Sequence, residues 1–377
     1  MSRSTMPGAV GALLAIIPAG LALSQVFSLS GFDPVVPLHA LHSPALRIAA
    51  LQIVCVLLAA QAVRSLVCTL PLLVGSVITG ALLLFAVPAG ESEPAAAFWL
   101  LVLAQALLVR TSVQRLAMLD SPRWIASFTA VIFGLWALYF WQLLVTAFAV
   151  PRVLMPAPAD IVMALFTQAD KLGGDFVQTV LKSVLSGYLL GSGLGIALGI
   201  AIERSPFLQR GLLPIASLTS TIPLVGVAPI AVMWFGFDWP SKVAVVVLMT
   251  FFPALVSTLA GLGAAGKLER ELMHSYAASP RQQLLALRLP AAMPFIFGAL
   301  KVNASLALIG AIVAEFFGSP TAGLGFRIST EASRMQMPLV WAAIVLSAIV
   351  GSVLYALLVR LERRVNFWHP SVRALQS

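Results

Sequence analysis

Residues 266–290 read GKLERELMHSYAASPRQQLLALRLP and separate two long apolar runs, residues 241–263 and 291–317. About 20 apolar helical residues cross the roughly 30 Å hydrocarbon core of a bilayer, so each run predicts a transmembrane helix. Within the connecting segment, apolar residues recur at helical spacing on both sides of Ser279-Pro280: Leu268, Leu272, Ala277, Leu284 and Leu287. Serine can cap a helix whose first residue is proline, so the segment predicts two short amphipathic helices that present a docking surface.

The composition of the whole chain is that of a membrane protein. Of 377 residues, 60% are hydrophobic and 10% are charged, whereas soluble domains average about 25% charged residues. Apolar runs of spanning length predict an all-α, polytopic protein with about ten transmembrane helices. These runs cover approximately residues 8–29, 46–66, 68–88, 94–110, 124–150, 176–202, 211–236, 241–263, 291–317 and 338–360. Ala22-Leu23-Ser24 also resembles a signal-peptide cleavage site, so residues 1–24 are either an uncleaved anchor or a cleaved leader.

Lysine and arginine are distributed unevenly between the two sides that these spans define. With the amino terminus in the cytoplasm, most of the 23 basic residues fall in cytoplasmic segments, as the positive-inside rule requires. We therefore predict cytoplasmic amino and carboxyl termini and a cytoplasmic position for residues 264–290. The net charge of +9 is scattered between apolar runs, which argues against nucleic-acid binding.

Side chains that carry catalytic or metal chemistry form no pattern in the sequence. Cys55 and Cys68 lie in apolar runs without a C-x-x-C pair, and the four histidines form no metal-binding motif. The sequence also contains no G-x-S-x-G elbow and no glycine-rich phosphate loop. We predict no catalytic residue, no metal site and no cofactor bound by this chain.

The connecting segment resembles the E-A-A-x(3)-G-x(9)-I-x-L-P motif of the permease subunits of ABC importers. In register, the motif positions fall on Glu271, Leu272, Met273, Ala277, Leu287, Leu289 and Pro290, so the two motif alanines and the motif glycine are replaced. Further likeness to the nitrate, sulfonate, taurine and bicarbonate group follows in order: Trp141-Gln142-Leu143-Leu144, Leu154-Met155-Pro156-Ala157-Pro158, Pro223, Pro229, Trp234-Phe235-Gly236, Phe252-Pro253, Ala314-Glu315-Phe316-Phe317-Gly318 and Gly323-Leu324-Gly325. The resemblance covers roughly residues 124–370.

The resemblance implies a six-helix permease core at residues 121–377, with the coupling loop at 264–290, and four accessory transmembrane helices at 1–120. It implies a bacterial inner-membrane protein that works with ABC ATPase subunits holding ATP and Mg, a second permease subunit in a homodimer, a substrate-binding protein and membrane lipid. The cargo would be a small sulfonate-, nitrate- or taurine-like solute, or a vitamin precursor of the pyrimidine or riboflavin type. The residues that would couple to the ATPase are Glu271, Tyr276, Ala277, Ala278, Ser279, Arg281, Leu289 and Pro290. An amphipathic loop held against lipid headgroups is the alternative for this segment.

Polar residues within two predicted spans are candidates for the substrate path. Lys301, Asn303, Ser305 and Glu315 could contribute to one polar side of a helix, although snorkelling and interhelical hydrogen bonding are alternatives. Hydroxyl groups at Ser217, Thr219, Ser220 and Thr221 precede Pro223, whose ring removes a backbone hydrogen bond. They predict a gate or transient substrate site, unless they bond only to their own backbone.

Gly187, Gly191, Gly195 and Gly199 repeat every four residues in the span 176–202. A stripe of this kind lets two helix backbones approach closely, so we predict tight packing against another helix.

Two other classes of function stay open. An ion-coupled secondary transporter should show inverted repeats and carboxylates deep in its helices, for which Glu315 is the one candidate. An integral membrane enzyme would need a clustered nucleophile, metal or acid–base set, and the sequence shows none.

Overall fold

The computed structural model describes residues 52–53, 66–85, 96–117, 123–203, 205, 207–208, 211, 224–318 and 322–368. All regular structure in these residues is helical, which confirms the predicted all-α fold. The α-helices with at least four described residues are α1 (Leu66–Phe85), α2 (Ala96–Ala117), α3 (Arg123–Ala147), α4 (Pro158–Thr167), α5 (Ala169–Phe176), α6 (Leu185–Ile202), α7 (Leu224–Phe235), α8 (Trp239–Gly263), α9 (Lys267–Ser275), α10 (Pro280–Gln283), α11 (Leu289–Gly318), α12 (Leu324–Ser333) and α13 (Met337–Val365). π-Helical turns at Val177–Val184 and Leu284–Arg288 join α5 to α6 and α10 to α11.

Six continuous helices in the described part of the chain are long and apolar enough to cross a membrane. They are Phe98–Ala117, Phe128–Ala147, Ala169–Ile202, Trp239–Gly263, Pro280–Gly318 and Met337–Val365. Each overlaps a predicted span, so a multi-pass membrane protein is confirmed. Pro280–Gly318, however, begins 11 residues before the predicted span 291–317, so the second predicted short helix of the connecting segment is the start of this long helix. The predicted spans 8–29 and 46–66 and the first half of 211–236 fall almost wholly outside the described residues.

The chain divides into two compact units, Met1–Ala159 and Asp160–Ser377. The boundary predicted near residue 120 falls at residues 118–122, which lie outside the described part of the chain. The first unit contains α1 to α3, whose buried core includes Leu83, Leu101 and Leu143. Gln105 also lies in its interior, where the side-chain amide donates to the carbonyl of Ser76 (2.8 Å) and accepts from Thr79 (2.7 Å). Hydrogen bonds of this kind hold helices together in a bilayer, where water offers no competing partner.

The glycine stripe of α6 lies against α8 in the second unit. A Cβ atom added to Gly187 would lie 2.6 Å from the Val246 side chain, and one added to Gly199 would lie 3.0 Å from Thr258. Glycine is therefore required for the two backbones to approach this closely. The predicted helix packing of the stripe is confirmed.

Gly191→Val is expected to lower the free energy of unfolding by about 3 kcal/mol, because overpacking forces backbone shifts. An added Cβ at Gly191 would collide with the Thr250 hydroxyl and would also lie 2.8–2.9 Å from the Val247 backbone, which cannot turn aside as the end of a side chain can. Gly193→Val is the matched control, since nothing lies within 4 Å of that position on the same helix. Denaturant unfolding in detergent, followed by tryptophan fluorescence, measures both variants. Equal destabilisation at the two positions would contradict the packing role of the stripe.

Candidate functional site

The predicted coupling loop begins with α9, which ends in a tight turn at Ala277. The N–H of Ala277 donates to the carbonyl of His274 (2.9 Å), and that of Ala278 donates to the carbonyl of Met273 (3.0 Å). These bonds form a Schellman motif, in which the residue after the helix cap adopts a left-handed conformation. Ala277 accordingly has φ +52°. It occupies the glycine position of the permease motif, and glycine is the residue that takes positive φ without steric cost.

The second arm of the loop begins at Ser279, as the sequence predicts. The Ser279 hydroxyl oxygen accepts from the N–H of Gln282 (3.3 Å), and the Gln282 side chain accepts from the N–H of Ser279 (2.7 Å). Pro280 occupies the first turn, where its missing N–H costs nothing. This capping box fixes where α10 starts, so the predicted helix break is confirmed.

An apolar face of α9 is exposed. Leu268, Leu272 and Tyr276, which we call the exposed apolar face, are 77%, 56% and 78% exposed. They lie four residues apart and therefore share one side of the helix. Among the other predicted coupling residues, Glu271, Ser279 and Arg281 are also exposed, and Ala278, Leu289 and Pro290 are half-buried. Apolar side chains rimmed by charged ones are typical of a surface that a partner covers.

A group of polar contacts lies where α12 begins, at the end of α11 that is farther from the loop. The first N–H groups of a helix have no partner within the helix, and here three successive ones donate to side chains of other helices. The Gly323 N–H donates to Asp175 (2.8 Å), that of Leu324 to the Thr179 hydroxyl (2.7 Å) and that of Gly325 to Glu315 (2.8 Å). We call these three side chains and three amides the capping cluster.

The acceptors of the capping cluster are bonded to one another and to α12. The Thr179 hydroxyl donates to both carboxylate oxygens of Glu315, at 2.8 and 3.0 Å. Arg327 pairs with Asp175 at 2.7 Å, and this hydrogen bond raises the pKa of the guanidinium above its usual value. Carboxylates at a helix N-terminus are also stabilised by the helix dipole.

Close approach to Glu315 explains the Gly323-Leu324-Gly325 sequence. Gly323 has φ +135°, a conformation that other residues rarely adopt, and a Cβ there would lie 2.5 Å from the Glu315 carboxyl carbon. At Gly325 an added Cβ would collide with the backbone carbonyl of Ile312 and would lie 2.9 Å from the Cβ of Glu315. Leu324 between them is fully buried.

Lys242 is buried beside this cluster in the first turns of α8. Its ammonium group donates to the backbone carbonyls of Phe237, Asp238 and Gly318. These hydrogen bonds use all three donors of the ammonium group and tie the start of α8 to the end of α11.

The structure does not bring the four polar residues predicted on α11 together. Lys301 forms an ion pair with Glu362 of α13 (2.7 Å), while Asn303 donates to the Ser192 hydroxyl and to the carbonyl of Thr250. Glu315 belongs to the capping cluster, and Ser305 is exposed. The described contacts of Lys301, Asn303 and Glu315 are therefore all hydrogen bonds between helices. Ser217, Thr219, Ser220, Thr221 and Pro223 lie outside the described residues, and a substrate path remains a prediction.

Functional roles for Asp175, Thr179, Lys242 and Arg327 were not predicted from the sequence. One usable signal was present, because Asp175 and Thr179 are four residues apart and so share a helix face at the start of an apolar run. Within the described ranges, His, Cys, Asp and Glu form no group that could hold a metal ion.

Comparison with known proteins points to transport. Residues 191–367 match the family of binding-protein-dependent transport system inner membrane components. The chain is 33% identical to a probable ABC transporter permease of Haemophilus influenzae over 218 residues, which cover 58% of the chain and 88% of that protein. It is 35% identical to the riboflavin transport system permease of Chloroflexus aurantiacus, covering 62% of the chain and 87% of the relative. Identity to the formylaminopyrimidine transport permease of Halalkalibacterium halodurans is 31%, covering 63% of the chain and 94% of the relative.

Proposed function

Because the chain belongs to the family of binding-protein-dependent transport system inner membrane components, we propose that it forms the translocation path of an ATP-driven importer. The observation that carries this proposal is the exposed apolar face on a firmly capped turn between two membrane-spanning helices. A permease needs such a surface because its energy comes from a separate subunit. The chain itself would perform no chemistry and bind no cofactor.

In this proposal an ABC ATPase subunit covers the exposed apolar face. Leu272 and Tyr276 would enter an apolar groove, and Arg281 would pair with an acidic side chain at the rim. ATP and Mg would be held by the ATPase. Closure of the ATPase would then displace the loop and, with it, the helices α8 and α11 that the loop joins.

The assembly would sit in a bacterial inner membrane with both termini in the cytoplasm. This orientation places the coupling loop inside and the capping cluster outside, where a binding protein would deliver the cargo. A second copy of the chain would complete the path, in contact with membrane lipid. Of the predicted path residues, Ser305 supports this role best among the described ones because its side chain is exposed.

The relatives support a small organic cargo. Two of them are named for formylaminopyrimidine and riboflavin transport, and others for aliphatic sulfonate and taurine transport. We propose a solute of this range, either a pyrimidine- or riboflavin-type vitamin precursor or a sulfonate-, nitrate- or taurine-like anion.

Reconstitution with a candidate ATPase and a candidate binding protein from the same organism tests the function. Proteoliposomes should take up cargo only with ATP, collapse of the proton gradient should have no effect, and deletion of residues 271–285 should abolish uptake. Tyr276→Asp is the milder variant, expected to weaken ATPase binding about tenfold or more by burying a charge in an apolar contact. Uptake without ATP that stops when the proton gradient collapses would instead establish an ion-coupled transporter.

A further inference from the structure

Arg288, the last residue of the loop before α11, contacts two helices other than its own. Its guanidinium pairs with Glu203, which directly follows α6, and its Nε donates to the carbonyl of Leu262 at the end of α8 (3.1 Å). The side chains of Arg288 and Glu203 are only 22% and 6% exposed. Water therefore screens this pair less than an ordinary surface ion pair.

The first arm of the loop is attached in the same region. Arg270 of α9 donates to the carbonyl of Gly263, the residue after Leu262 (2.6 Å). Arginines from both arms thus bond to the last carbonyls of α8, which have no partner within that helix. The loop is closed against α8 at both ends.

An apolar cluster joins the same elements. Its buried members are Leu262 of α8 with Ala292 and Ile296 of α11. Its half-buried members include Ile196 and Ile200 of α6, Leu284 of the loop and Leu289, the first residue of α11. Side chains of the loop and of α6 therefore pack against the same buried residues of α8 and α11.

We infer that Arg288 and Glu203 are positioning residues that transmit movement of the coupling loop to α6. The inference rests on the proposed function, since it assumes that an ATPase moves the loop. Packing of the glycine stripe already joins α6 to α8 along their length. The ion pair adds a direct attachment between α6 and the loop itself.

The helix that Glu203 terminates reaches the capping cluster. Residues Ala169–Ile202 form one continuous helix, with Asp175 and Thr179 near its other end. Its 34 residues span about 50 Å at 1.5 Å per residue. A displacement applied at Glu203 therefore acts on a rigid element that holds the start of α12.

Distance measurements within the assembled complex test the inference. Spin labels at Lys267→Cys in α9 and Ala201→Cys in α6, with Cys55 and Cys68 replaced, report the loop–α6 distance when labelled chains are diluted with unlabelled ones. In the parent complex this distance should stay constant when ATP and vanadate are added. In the Arg288→Glu variant, the loop–α6 distance should shift and its distribution should broaden when nucleotide is added. The double variant Arg288→Glu with Glu203→Arg should restore a constant distance.

Arg363→Glu is the control, because it reverses an exposed arginine at the end of α13, and it should behave as the parent. If the Arg288→Glu variant does not fold, Arg288→Gln is used in its place. A parent distance that changes with nucleotide, an invariant distance in every Arg288 variant, or a swap that restores nothing would each overturn the inference. A parent chain that copurifies with no ATPase would overturn the proposed function and this inference together.

Discussion

Replacing Glu315 with alanine is expected to lower the free energy of unfolding by about 4 kcal/mol, because two buried donors would lose their acceptor at about 1–3 kcal/mol each. The donors are the Thr179 hydroxyl and the Gly325 N–H, and Glu315 itself is 1% exposed. Water cannot replace the carboxylate at a site closed to this extent. Denaturant unfolding in detergent measures the loss, and amide exchange at residues 323–325 should accelerate with it.

Glu315→Gln keeps the volume of the side chain, so it measures the loss of hydrogen bonding apart from the loss of packing. The Thr179 hydroxyl already accepts from Leu324, so its proton must go to residue 315, which the glutamine carbonyl can accept. The glutamine NH₂ would then face the Gly325 N–H, donor against donor. We expect a loss of about 2 kcal/mol for this variant and less than about 0.5 kcal/mol for the exposed Ser305→Ala. If alanine, glutamine and the serine control were equally stable, the capping cluster would have no part in holding α12.

Much of the second unit could be predicted because its signals are local. A run of apolar residues predicts a membrane-spanning helix without reference to the rest of the chain. In the same way, Ser279 and Pro280 by themselves predict the helix break that they form. The glycine stripe from Gly187 to Gly199 predicts close packing against another helix but does not show which helix that is. The structure adds that the partner is α8.

The capping cluster could not be predicted because its partners are remote in sequence. Thr179 and Glu315 are 136 positions apart, and Asp175 and Arg327 are 152 apart. Helix α12 has ten residues and a mixed composition, so it carries no spanning signal. Spacing on α11 likewise suggested one polar side for Lys301 and Glu315, but it could not show that these residues meet different helices. Which neighbour a helix face meets is decided by the fold.

The turn at Ala277 is expected to determine how tightly the ATPase binds. Ala277→Val is expected to weaken ATPase binding to the chain about tenfold, because a β-branched side chain adds strain at positive φ beyond that which alanine already carries, and the turn would give way. Ala277→Gly should have the opposite effect, because it removes the strain that alanine carries at φ +52°. Titration of the purified ATPase onto the chain in nanodiscs measures both variants.

Ala264→Val is the matched control for this experiment. Ala264 is also exposed and also follows a helix end, but its φ is −75°, which valine adopts without strain. Lost binding in both valine variants would point to added bulk near the loop, and unchanged binding in Ala277→Val would mean that the turn does not position the docking surface. Lost binding in Ala277→Val alone, with binding retained in Ala277→Gly, would tie the requirement to the left-handed backbone. The backbone conformation at this one position would then explain the glycine of the permease motif. The turn sets the orientation of the exposed apolar face relative to the second arm of the loop.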